Sequence, residues 1–226
     1  MPTHYLPATI QVNSGITTFI NVFTIAPENQ QALLDVLKSQ TDSSIRKQPG
    51  FLNANFHRSL DGVSVVNYVQ WTDQRSSEVI HENPEIMAGF ARYQALNVKM
   101  DLRYYEVAFA VGQQAIIEPQ NGVVTLISLF STKPPHQQQA LETLKQELCS
   151  FAKQQAGFVS MSLHRSLDGT RILNYTQWKA SASHTIADVL TQHEPLMSLL
   201  EGACDRIETH LYEVSFAADA HRLVVQ

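Results

Sequence analysis

GFLNANFHRSLDGVSVVNYVQW, residues 50–71, returns 107 positions later as GFVSMSLHRSLDGTRILNYTQW, residues 157–178. Twelve of the 22 positions are identical, and HRSLDG is copied whole. The likeness runs outward at the same offset. Asn21-Val22-Phe23 falls on Ser128-Leu129-Phe130, and Tyr105 to Phe109 falls on Tyr212 to Phe216. A period of 107 residues is far longer than a solenoid unit, so each copy is expected to be a domain. The expected boundaries are 1–112 and 123–226, joined by a linker at 113–122 rich in Gln, with Glu118-Pro119 and Gly122.

Each copy has the same order of elements. Ile16 to Ile25 is β-branched and aromatic, which predicts a strand. Pro27 then opens a helix at the position where a missing N–H costs least. Leu33, Leu34, Leu37, Thr41 and Ile45 recur at helical spacing, as do Leu141, Leu144, Leu148 and Phe151. Gly50 and Gly157 are expected to stop these helices. Two strands follow around Asp61-Gly62, a strong hairpin signal. A second helix is expected over Ser76 to Leu96, interrupted near Pro84, and a last strand over Arg103 to Val111. The sum is α+β: two ferredoxin-like β-α-β-β-α-β repeats. Each repeat leaves one sheet face bare. The two sheets are expected to pack face to face as an intramolecular, pseudo-dimeric barrel.

Composition narrows the function. The chain has 226 residues, 44% hydrophobic and 16% charged, with a net charge of −5. No basic cluster supplies the footprint of a nucleic-acid binder. No apolar run approaches a membrane span, and the start lacks the order of a secretory signal. A cytoplasmic protein is expected. Two cysteines, Cys149 and Cys204, are too few for a disulfide framework, and the nine histidines show no metal-ligand spacing.

A two-residue turn at Asp61-Gly62 sets the register of the hairpin. It places Asn67 opposite Phe56, Val69 opposite Ala54 and Trp71 opposite Leu52. Asn67 and Trp71 then share an apolar face, as Asn174 and Trp178 do with Leu163, Met161 and Val159. A buried amide on such a face is costly unless something hydrogen-bonds to it. The other face carries His57, Asn55, Tyr68 and Gln70, repeated as His164, Ser162, Tyr175 and Gln177. HRSLDG reads as hairpin chemistry, with Arg58 and Arg165 solvated.

Gln48-Pro49-Gly50-Phe51 ahead of the second strand, and Asn67-Tyr68-Val69-Gln70-Trp71 closing the third, resemble the antibiotic biosynthesis monooxygenase family. The second copy matches as Ala156-Gly157-Phe158 and Asn174 to Trp178. The resemblance covers nearly all of both halves. It implies a dimeric α+β barrel and a monooxygenase that oxidises an aromatic phenol or quinol with dioxygen, without flavin, haem or metal. Asn67, Trp71, Asn174 and Trp178 are then the catalytic candidates. Asn21, Phe23, His81 and Ser128 are candidates for substrate binding, with Arg92 and Tyr93 as further polar groups of the second helix. Ser128 in place of Asn21 predicts that the two halves differ in competence. Two other readings use the same fold. One is a haem-binding or haem-degrading protein, with His81 as ligand and no match in the placing of His184 and His193. The other is a non-catalytic small-molecule-binding barrel. Expected partners are a small aromatic substrate and dioxygen, with further self-association open.

Overall fold

A computed structural model describes residues 7–181, 198, 200 and 202–220. Strands β1 (Ala8–Ile10) and β2 (Thr17–Thr24) precede helix α1 (Gln30–Ser43), entered through a 3₁₀ turn at Pro27–Asn29. The hairpin β3 (Phe51–Ser59) and β4 (Ser64–Trp71) follows. The predicted second helix is split: α2 (Gln74–Glu78), a 3₁₀ turn at Val79–Glu82, then α3 (Pro84–Gln94). Pro84 stands at the start of α3, and Asn83 caps it by accepting from the backbone N–H groups of Glu85 and Ile86. After β5 (Lys99–Gly112) and β6 (Ala115–Ile117) the order repeats as β7 (Val123–Thr132), α4 (Gln137–Gln154), β8 (Phe158–Ser166), β9 (Arg171–Lys179) and β10 (Cys204–Asp219). The expected second helix of this half, with His184, His193 and Pro195, lies outside the described residues.

Eight strands close into a barrel in the order β10-β3-β4-β2-β5-β8-β9-β7. This is the expected intramolecular, pseudo-dimeric barrel, and its halves meet at strand edges as well as across their faces. Strand length makes this possible. Within β5, Lys99 to Tyr105 pairs with β2 of its own half, and Tyr105 to Gly112 pairs with β8 of the other. Within β10, Cys204 to Tyr212 pairs with β7 and Tyr212 to Asp219 with β3. Closure removes the exposed edges that would invite aggregation. Ion pairs Arg58–Glu213 and Arg165–Glu106 tie each hairpin to the other half.

The hairpin turn spans Leu60 to Val63 and keeps the even length that the register needs. Gly62 sits at φ +82°, its N–H donating to Ser59 O at 3.1 Å. Asn67 stands opposite Phe56 and Val69 opposite Ala54, as the turn predicts. Trp71, however, stands opposite Phe51 rather than Leu52, and Trp178 opposite Phe158 rather than Val159. A β-bulge between Phe51 and Asn53, copied between Phe158 and Ser160, absorbs one residue. Gly50 is not a direct helix stop, because α1 has already ended at Ser43 and Ile45 lies in a separate 3₁₀ turn. A Cβ on Gly50 would come within 2.4 Å of Ser76 Cβ, so this glycine admits α2.

The barrel interior holds Ile20, Val22, Val66, Leu173 and four tyrosines, 68, 105, 175 and 212. Residues of the expected linker close one end: β6 pairs with β1, and the ribbon's Ala8, Ile10, Ala115 and Ile117 pack into this core. Gln70 Nε2 donates to Thr9 O at 2.9 Å and Gln177 Nε2 to Ile116 O at 2.7 Å. His57 and His164 lie inside as well, not on the solvated turn. His57 Nε2 is 2.9 Å from Tyr175 Oη, and His164 Nε2 is 3.1 Å from Tyr68 Oη. Each pair joins one half to the other. Among the described residues no helix is long and apolar enough to cross a membrane.

Candidate active site

Side chains on the outer face of β2 and β4 point toward the helices, because alternate residues of a strand face opposite ways. In the first half this face carries Phe19, Asn21 and Phe23 from β2, and Asn67, Val69 and Trp71 from β4. The helices do not fill the space above it. A cavity of about 120 Å³ remains, closed from above by Leu37 and Thr41 of α1 and by Phe90 and Tyr93 of α3. An apolar cavity of roughly 150 Å³ holds a benzene ring, so this one accommodates about one aromatic ring. Its mouth is marked by exposed His81, Met100 and Leu102. Further rings of a larger ligand would extend there. As it stands, the cavity is far smaller than a porphyrin.

Asn21 and Asn67 are directly opposed on neighbouring strands. Both Oδ1 atoms are buried, and neither has a hydrogen-bond partner among the described residues. Leaving such an oxygen unpaired costs about 1–3 kcal/mol. Two of them, side by side on the wall of an apolar cavity, are a standing demand for a donor. Trp71 is buried at the end of the same row, its ring edge-on to Phe51 at 5.4 Å. Tyr93 is differently employed. Its hydroxyl donates to Gln40 Oε1, while Gln40 Nε2 donates to Ile86 O at 2.8 Å. Burial pushes the Tyr93 phenol well above its ordinary range, so it offers the cavity a ring rather than an acid.

The second half arranges the corresponding residues otherwise. Ser128 and Asn174 are again opposed. Here Thr176 Oγ1 donates to Asn174 Oδ1 at 2.9 Å, and Thr209 Oγ1 donates to Ser128 Oγ at 2.9 Å. Met161 replaces Ala54 and packs with Leu126, Ala152 and Trp178. Trp178 is buried, and its Nε1 has no partner among the described residues.

The structure thus brings Asn21, Phe23, Asn67, Trp71 and His81 together around one cavity, with Tyr93 beside them. Arg92 is exposed and does not line it. Ser128, Asn174 and Trp178 belong to the other half. Sequence reasoning missed Thr41, the Gln40–Tyr93 pair and the changes Val69 to Thr176 and Leu102 to Thr209. The last two were readable in the 107-residue alignment, among several places where an apolar side chain becomes a hydroxyl donor. Among the described residues no three His, Cys, Asp or Glu side chains form a metal-ligand cluster. Cys149 and Cys204 are free thiols.

The family model described as antibiotic biosynthesis monooxygenase matches residues 17–96 and, again, 123–187. The chain belongs to the antibiotic biosynthesis monooxygenase family. Tetracenomycin-F1 monooxygenase of Streptomyces glaucescens is 42% identical to it over 83 residues, which is 37% of this chain and 74% of that protein. A crystal structure of an anthrone oxidase-like protein superimposes with a TM-score of 0.80 at 20% identity, covering 97% of this chain and all (100%) of that one. That likeness extends the shared fold over both halves together. A structure described as a major regulator of staphylococcal pathogenesis also superimposes, with a TM-score of 0.50 at 12% identity over 87% of this chain and 98% of that one. Fold does not by itself fix an activity; the residues of the site do.

Proposed function

We propose that the first half of this chain is a monooxygenase site that oxidises an aromatic phenol or enol with dioxygen, without flavin, haem or metal. The observation that carries the reading is the pair of unpartnered amide oxygens, Asn21 Oδ1 and Asn67 Oδ1, facing an apolar cavity. The relatives support it: one is described as a monooxygenase, another as anthrone oxidase-like.

Triplet dioxygen reacts slowly with closed-shell molecules, which is why most oxygenases recruit a cofactor. A phenol or enol that loses its proton becomes an electron donor in its own right. The cavity suits that course. Its walls hold one ring among Phe19, Phe23, Phe90 and Trp71. An amide oxygen accepts a hydrogen bond from the hydroxyl of the neutral substrate. After deprotonation the same amide, turned over, presents N–H to the oxyanion, and such a donor in a dry site stabilises developing charge strongly. Among the described lining residues, His81 at the mouth is the side chain suited to take the proton.

The test is oxygen uptake by the purified chain, without added cofactor, across a panel of anthrones and naphthols. Consumption with at least one member, accompanied by an oxygenated product, supports the reading. No consumption with any member, or a requirement for added haem with a haem spectrum of the loaded protein, contradicts it.

A further inference from the structure

We infer that Val69 and Leu102 are positioning residues that keep the two amides of the first half available to a ligand. The inference rests on the reading of that half as a substrate site. Its evidence is the contrast between two halves of one chain.

Val69 lies two residues after Asn67 on β4, on the same face of the strand and on the wall of the same cavity. Leu102 stands directly opposite Asn21 on β5. Neither can donate a hydrogen bond. At the same places in the second half the chain has Thr176 and Thr209. Their hydroxyls are spent inside the protein, on Asn174 Oδ1 and Ser128 Oγ, each at 2.9 Å. The amide Asn174 is thereby held with its oxygen satisfied, whereas Asn67 Oδ1 and Asn21 Oδ1 stay open. Valine and threonine have nearly the same shape, so at position 69 the difference between the halves is essentially one hydroxyl. The apolar identity of Val69 and Leu102 is therefore functional. A donor at either place would compete with the ligand for the amide.

Two double-mutant cycles test this. Binding of 1-naphthol, whose hydroxyl is the donor that an open amide oxygen accepts, is measured by titration calorimetry under argon, so that chemistry does not intrude. Val69→Thr should weaken binding roughly five- to tenfold, the worth of one hydrogen bond lost to an internal competitor. In an Asn67→Ala background, with no amide to occupy, the same substitution should change affinity less than about twofold. Leu102→Thr should behave likewise against Asn21→Ala, and position 102 is 41% exposed, so that variant folds without repacking a core. Equal losses in the presence and absence of the amide would overturn the assignment, because Thr would then be acting through bulk or polarity alone. A different outcome marks failure of the underlying reading: 1-naphthol does not bind the unaltered chain, or neither Asn67→Ala nor Asn21→Ala alters its binding.

Discussion

Asn67 and Asn174 occupy the same place in two copies of one motif, yet their energetics differ. Asn174 Oδ1 accepts a hydrogen bond from Thr176, so Asn174→Ala strands a buried hydroxyl and removes a native bond. That substitution should cost about 1–3 kcal/mol of stability. Asn67→Ala removes an oxygen that has no partner, and should cost clearly less. Thermal melts of the two variants check this; a larger loss for Asn67→Ala would mean that its amide is structural. The identity of both residues was legible in the repeated Asn-x-x-x-Trp. Their unequal satisfaction was not legible in the motif itself, because it depends on the hydroxyl of Thr176, which stands at one of the motif's unspecified positions.

At the scale of elements, the cavity exists because α3 approaches α1 without filling the space between them. Gly89 allows this approach: a Cβ there would stand 2.6 Å from Gln40 Nε2. The end of Gln40 is not free to move, since it bonds both Ile86 and Tyr93. Gly89→Ala should therefore break one or both bonds, at about 1–3 kcal/mol, and weaken aromatic ligand binding as Tyr93 and Phe90 shift. Denaturant unfolding together with 1-naphthol titration measures both effects; unchanged stability would show that Gln40 yields without loss. Helix α3 was legible from Pro84, and the β3–β4 register from Asp61-Gly62, since these residues restrict the backbone locally. The bulge at Leu52 and the strand β6 were not. A bulge and a three-residue strand are decided by long-range partners, here Trp71 and the β1 segment.

For the whole molecule, closure of the barrel places two histidines where water does not reach. Burial drives His57 and His164 down to about 4 from an ordinary 6.5. The unfolded chain binds those protons below pH 6.5 and the folded chain does not, so stability is full above that point. It is lost as pH falls from 6.5 toward 4, by roughly 3 kcal/mol for each histidine. Melting temperatures recorded from pH 7.5 down to pH 4.5 should fall across this window; a flat profile would contradict the buried, neutral assignment. The repeat made two joined halves legible, because duplication copies fold and sequence alike. The edge-to-edge pairing was not legible, because it depends on β5 and β10 continuing past Tyr105 and Tyr212 into the other half. That construction leaves two positions for a site and lets them diverge, with an open pair of amides in one half and a closed arrangement in the other. Oxygen uptake with the best substrate of the anthrone and naphthol panel, compared among the unaltered chain, Asn67→Ala and Asn174→Ala, measures that divergence. The account predicts a loss on the order of 10²–10³ in turnover for Asn67→Ala and nearly full turnover per folded molecule for Asn174→Ala. Equal losses in the two variants, or none in either, would contradict it.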